Sequence, residues 1–236
     1  MTDSIVFTDV SKKYPQVKDK FAVKNFSLRI STGEFFCLVG PSGCGKTTLL
    51  KLIVGLEKAT SGTIVKPDNI SMVFQSGALL PWLTASENIG FGLKMKNIQR
   101  KKIANLVEQY LEIVKMANFK NKYPRELSGG QRQRIGLARA LSVEPEVLLL
   151  DEPFSALDEI TTKKLHQDII NIWRQTKITI VMVSHLFEEA ALLSDRVGVM
   201  VDGGLKGIVD INFARPRQKL SKLFTEKVFE IEKLFS

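Results

Sequence analysis

The octapeptide Gly40-Pro41-Ser42-Gly43-Cys44-Gly45-Lys46-Thr47 lies between the apolar run Phe35 to Val39 and the helix-patterned stretch Thr48 to Ile53. Such a segment dictates a buried strand, a tight loop and a helix in immediate succession. Glycines at 40, 43 and 45 let the backbone turn successive N–H groups inward. At a helix N-terminus, where the dipole also favours negative charge, that nest binds an anion. Lys46 would reach the β- and γ-phosphates of a nucleotide, Thr47 would hold Mg²⁺ through its hydroxyl, and Thr48 would bond the α-phosphate. The alternative is a chance Gly-rich turn, against which the Lys-Thr pair and the flanking strand and helix both weigh.

With 236 residues, 44% of them apolar, the chain is long enough for one large domain and a substantial core. Cys37 falls in the strand and Cys44 in the loop, so neither suggests a disulfide framework or a metal cluster, and a reducing compartment is expected. The start, Met1-Thr2-Asp3-Ser4, lacks the basic and apolar regions of a signal peptide. No apolar stretch approaches the roughly 18 residues of a membrane helix, so any membrane work falls to a partner. The formal charge is +9. Between Lys94 and Arg125 nine Lys or Arg face two acids, Glu108 and Glu112, an excess of +7. A nucleic-acid face or a surface near anionic lipid would produce that excess, and so would a solvated helical lobe. The lobe is preferred, because Ile103, Leu106, Val107, Tyr110, Leu111 and Val114 repeat at helical spacing with the charges between them.

Short alternating segments over 4 to 36 predict a small antiparallel sheet. Gly62 to Val65 and Ile70 to Phe74 read as further strands, and 85 to 142 as mostly helical. From 146 strand and helix alternate: Val147 to Leu150, a helix over about 159 to 175, Ile178 to Val183, a short helix after His185, and Val197 to Val201. Alternation of this kind implies parallel strands with crossover helices. A basic tail from Arg215 ends in a helix whose apolar stripe is Leu223, Phe224, Val228, Ile231 and Leu234.

Four aliphatics lead into Asp151 and Glu152, which places both carboxylates at the C-terminal edge of a buried strand, where ligands of open α/β sheets sit. Asp151 is a candidate Mg²⁺ ligand, and Glu152 a candidate to polarise the water that attacks a γ-phosphate. His185 ends another apolar strand and would contact the γ-phosphate from the same edge. Gln75, after Met72-Val73-Phe74, would orient water or Mg²⁺ from a third strand. His166 reads as a solvated helix residue. Leu127-Ser128-Gly129-Gly130-Gln131 opens a helix, with Ser128 as cap and two glycines that let backbone N–H groups approach an anion. Taken alone it is an ordinary N-cap.

The ordered set of Tyr14, residues 40–47, Gln75, Leu127 to Gln131, Asp151-Glu152, Ser155-Ala156-Leu157-Asp158 and His185 resembles the ATP-binding cassette (ABC) ATPase family over residues 5 to 210. The resemblance implies a P-loop NTPase core with a parallel sheet, divided as an antiparallel β-subdomain (about 1–36), a core (37–84 and 143–210), an α-helical subdomain (85–142) and a basic helical tail (211–236). It implies a head-to-tail dimer in which Ser128, Gly129, Gly130 and Gln131 of one subunit cover the ATP held by the other. Adenine would stack on Tyr14, Asp158 would communicate across the subunits, and Gly40 to Thr48, with Pro41, Ser42 and Cys44, would hold the phosphates.

Leu79-Leu80-Pro81-Trp82-Leu83-Thr84 and Arg215-Pro216-Arg217 are similar to the nitrate/sulfonate/taurine class of import ATPases, from which Ser76 departs, since an acid often follows the Gln there. That class implies permease subunits docking near Gln75 to Trp82, an external substrate-binding protein, and a place on the cytoplasmic face of the cell membrane. An export ATPase and an ABC ATPase acting on nucleic acid are the alternatives; one compact cassette weighs against the latter, and no nucleic-acid partner is expected.

Overall fold

A computed structural model describes residues 2–15 and 20–235. Met1, residues 16–19 and Ser236, which belong to the segments drawn above, lie outside the described residues. The chain divides into two compact units, Met1–Asp68 with Lys177–Ser236, and Asn69–Thr176. The first opens with β1 (Asp3–Lys13), β2 (Phe21–Ser31), β3 (Phe35–Val39), α1 (Lys46–Val54) and β4 (Ser61–Val65). The second holds β5 (Ile70–Val73), α2 (Ala85–Met95), α3 (Arg100–Ile113), α4 (Gly129–Ser142), β6 (Val147–Asp151) and α5 (Glu159–Thr176). The chain then re-enters the first unit as β7 (Thr179–Ser184), α6 (Phe187–Leu193), β8 (Arg196–Val201), β9 (Gly204–Asp210) and α7 (Lys222–Phe235).

In the first unit β1 lies between β2 and β4, antiparallel to both. Alternation in β1 buries Ile5, Phe7 and Val10, and the Phe7 ring meets Phe26 edge-on with centroids 5.4 Å apart. β4 joins a sheet whose other two strands lie before residue 36. The expected short sheet is therefore completed by a strand from beyond the phosphate loop. The same unit carries β3 between β7 and β8, parallel to both. Every residue of β3 is buried, as a continuous apolar run covered on both faces requires. β9 closes the edge as a hairpin on β8. Its turn has Asp202 at φ 49° and Gly203 at φ 82°, the Asp-Gly signature of a tight hairpin, although the sequence reading ended its strands at Val201.

The tail forms its helix, with Phe224 and Ile231 buried, but Leu223 is 58% exposed and does not belong to the packed stripe. Two arginines seat the segment before it. Arg215 donates from Nε and Nη2 to the carbonyl of Leu193 at 3.0 and 2.7 Å and pairs with Asp195. Buried Arg217 donates to the carbonyls of Ala191, Ser194 and Ile211, and burial lowers its pKa to about 10. Both cations sit at the C-terminal end of α6, where unpaired carbonyls and the helix dipole favour positive charge.

In the second unit β5 and β6 pair in parallel, Val73 opposite Leu150. The helical stretch begins at Thr84, whose side chain caps α2 in a reciprocal box with Glu87. Ile103, Val107 and Leu111 of α3 are buried, and Leu106 and Tyr110 are half-buried beside them, which is the stripe read from the sequence. Of the basic residues between Lys94 and Arg125, Lys120 pairs with Glu108, Lys122 with Glu126, and Lys115 reaches the buried Asp168 of α5 together with Arg134 of α4.

Candidate nucleotide-binding site

β3 delivers the chain into the glycine loop and α1 carries it away. Gly45 is the N-cap of α1 at φ 110°, and Gly43 lies at φ 78°. A Cβ at Gly45 would stand 2.0 Å from the carbonyl oxygen of Ala22, and one at Gly40 would stand 2.1 Å from that of Met200. Only glycine fits either place. Because Gly45 has no side chain, α1 begins without a side-chain cap, and its first-turn amides have no side-chain acceptor at the N-cap. Lys46, 5% exposed, donates from Nζ to the carbonyls of Gly40 at 2.7 Å and Pro41 at 3.0 Å, so its ammonium lies across the loop. Ser42, Gly43 and Thr47 are exposed, and Pro41 and Thr48 half-buried. The amides of an uncapped helix start, an ammonium and a hydroxyl form a donor set that fits a Mg-nucleotide's phosphates. Cys44 is buried with Sγ 4.0 Å from Lys46 Nζ, and burial pushes its thiol above the ordinary range. Cys37 is likewise buried and free.

His185 belongs to the same unit. Val39 is the register partner of Ser184, so Gly40 and His185 are the first residues past a shared edge of paired strands. Buried Ser184 donates its hydroxyl to Glu189 at 2.6 Å and accepts the N–H of Leu186 at 3.1 Å, bracketing the exposed His185. Tyr14 is half-buried, with Lys12 Nζ 4.9 Å from its ring centroid and Lys12 itself bonded to Glu57 at 2.7 Å.

The second unit gathers the other residues. Asp151 ends β6, 93% buried, and Glu152 follows in the left-handed region at φ 43°. Val73 pairs with Leu150, so Gln75 and Glu152 each stand two residues past a common register point. The Gln75 side chain donates from Nε2 to Ser155 Oγ at 2.9 Å, and Ser155 donates to the carbonyl of Glu152 at 3.0 Å. The loop after Gln75 rests on α4: Arg139 donates to the carbonyls of Ala78 at 2.9 Å and Gly77 at 3.2 Å.

At the opposite end of α4, Ser128 is the N-cap, and its side chain and that of Gln131 each accept the other's backbone N–H, at 3.3 and 2.8 Å. The Gly130 backbone packs so closely on α5 that a Cβ would stand 2.5 Å from Thr161 Cγ2. Asp158 accepts the Thr161 N–H at 2.9 Å, and the hydrogen bonds from Thr161 hold its carboxyl below the usual range. Ser128 to Gln131 and Asp158 therefore occupy one neighbourhood.

Ser155, Arg139 and the Ser184–Glu189 pair were not singled out by sequence reasoning as site residues. Ser155 lies inside a motif that was, and Ser184 precedes His185; nothing marked Arg139. His166 departs from the solvated reading: it is half-buried, with its ring edge-on to Phe154 at 4.3 Å between centroids.

A family model described as ABC transporter matches residues 23–155. The nitrate import ATP-binding protein NrtD of Synechocystis sp. is 46% identical over 187 residues, which cover 76% of this chain and 70% of that protein. The aliphatic sulfonates import ATP-binding protein SsuB of Bacillus cereus is 40% identical over 228 residues, 92% of this chain and 90% of that one. Among solved structures, the dimeric post-hydrolysis state of the ATP-binding cassette MJ0796 bound to ADP and Pi superposes with a TM-score of 0.81 at 30% identity, covering 89% of this chain and all of that one.

Proposed function

Because the chain belongs to the ABC transporter family as one of its ATP-binding subunits, we propose that it hydrolyses ATP to power import of a small solute of the nitrate or sulfonate class through permease subunits. Near full-length similarity to a sulfonate import ATP-binding protein is the observation that carries this reading. Two copies associate head to tail. The glycine loop of one and Ser128 to Gln131 of the other enclose each nucleotide, and Tyr14 stacks on the adenine. Two helix N-termini support this: α1 begins uncapped around Lys46, and α4 begins with two glycines in a separate unit.

Hydrolysis then follows from the side chains. Lys46 and the loop amides stabilise charge developing on the β- and γ-phosphates. Glu152 accepts a proton from the water that attacks the γ-phosphorus, ADP departs, and His185 holds the transferred phosphoryl oxygens. Thr47, Asp151 and Gln75 would hold Mg²⁺, which would supply charge neutralisation on the phosphate oxygens. Asp158 links one site to the other.

The permease docks at Gln75 to Trp82, where Trp82 is 69% exposed, and along a groove of about 800 Å³ lined by Ser86, Gly90, Lys94, Arg100, Ile103 and Val107. Among the described residues no helix is long and apolar enough to cross a membrane. The chain acts at the cytoplasmic face of the membrane, attached through that dock. An external substrate-binding protein completes the importer. Reconstitution of the chain with its permease and binding protein in vesicles tests the reading: ATP-driven uptake of nitrate or an alkanesulfonate supports it, and ATP hydrolysis stimulated by DNA or RNA with no uptake refutes it.

A further inference from the structure

Ser155 has no role in the chemistry above, yet two members of that machinery meet on it. Its backbone N–H and its hydroxyl both donate to the carbonyl of Glu152, at 3.3 and 3.0 Å. The same hydroxyl accepts the Nε2–H of Gln75 at 2.9 Å. Glu152 occupies the left-handed region at φ 43°, which a residue with a side chain keeps only where its surroundings over-determine it. The backbone N–H of Ser155, three residues on, closes the turn at Glu152. A hydroxyl has one proton. While Gln75 donates to its oxygen, that proton is directed at the Glu152 carbonyl, and the two hydrogen bonds polarise each other in one direction.

Neither end of this bridge is loose. β5 and β6 pair up to Val73 and Leu150, two residues before Gln75 and Glu152. Beyond Gln75 the carbonyls of Gly77 and Ala78 are held by Arg139, which ties the Gln75 loop to α4.

We propose that Ser155 is a positioning residue: it holds the left-handed turn at Glu152 and makes the aim of that carboxylate depend on where Gln75 stands. The assignment rests on the reading of Glu152 as the base. A displacement of the Gln75 loop reaches Glu152 through one hydroxyl, without moving the buried strands.

Steady-state ATP hydrolysis by the full-length chain tests this, with thermal melting alongside, in Ser155→Ala, Ser155→Thr, Gln75→Ala, the Ser155→Ala/Gln75→Ala double variant, and Glu152→Gln as reference. Ser155→Ala should lower kcat about 10-fold, as misaimed catalytic groups do, with KM within about 2-fold. Ser155 is exposed, so the melting midpoint should stay within about 2 °C of the parent. Ser155→Thr, which keeps the hydroxyl, should recover most of kcat, and the double variant should lose less than the product of the two single losses, since both remove the same link while Gln75→Ala also removes the metal contact assigned to it. A parent-like kcat in Ser155→Ala, or losses that multiply in the double variant, overturns the proposal. If Glu152→Gln is inactive while Ser155→Ala is parent-like, only the positioning role falls. If Glu152→Gln turns over at the parent rate, the proposed base is wrong and the positioning role falls with it.

Discussion

Lys46 concentrates what a single residue does here. Its Nζ bonds the carbonyls of Gly40 and Pro41, which holds the ammonium across the glycine loop. Lys46→Ala should weaken ATP binding by about 10- to 100-fold, the range for one charge-assisted hydrogen bond, in a titration of fluorescent nucleotide analogue. Binding within 2-fold of the parent would place the phosphates elsewhere. This residue was legible because its chemistry is local: eight contiguous residues specify loop, cap and cation together. Arg139 was not. On a helix pattern it is one more arginine, and its role comes from Gly77 and Ala78, about sixty positions earlier, being folded against it. Ser155 was hidden for the same reason, since its partner Gln75 belongs to a different strand end.

Among the elements, α2 and α4 begin with the same reciprocal cap, Thr84 with Glu87 and Ser128 with Gln131, but only the second has two glycines at its first positions. Thr84→Ala should cost about 1 kcal/mol in urea unfolding and leave ATP turnover unchanged. A loss of turnover with no loss of stability would contradict the purely structural role of that cap. The Glu87 carboxyl is held below its ordinary value of 4.5 by hydrogen bonds from the Thr84 backbone and side chain. A lowered acid stabilises the fold above its unfolded value, and that contribution is lost as pH falls through the folded one. Unfolding free energy of the parent should therefore fall more steeply below about pH 4.5 than that of Glu87→Gln, as denaturant titrations at stepped pH would show. Strands and helices with strong periodicity, β3, β6, β7 and α3, were readable because burial of one face or of both leaves its mark on neighbouring residues. Pairing was not readable in the same way. β4 joins β1 across the intervening phosphate loop, and β9 followed an Asp-Gly turn whose signal was present but unused. Leu223 shows the limit of periodicity: the helix formed, and what packed against it decided which apolar residues were covered.

For the whole molecule, the division of labour between the units matters most. One carries the glycine loop, Lys46 and His185; the other carries Gln75, Asp151, Glu152 and the signature turn at Ser128. The motifs could be read from the sequence because each is short and self-contained, whereas the arrangement of two copies was reached only by resemblance. The account therefore stands or falls on whether ATP brings two chains together. The decisive measurement is the mass in solution of Glu152→Gln, which removes the proposed base and leaves the proposed nucleotide contacts, by light scattering with Mg-ATP and with Mg-ADP. The account predicts twice the 26.5 kDa monomer with ATP, the monomer with ADP, and the monomer again with ATP when Lys46→Ala is added. A Glu152→Gln chain that is saturated with ATP and still monomeric would contradict it.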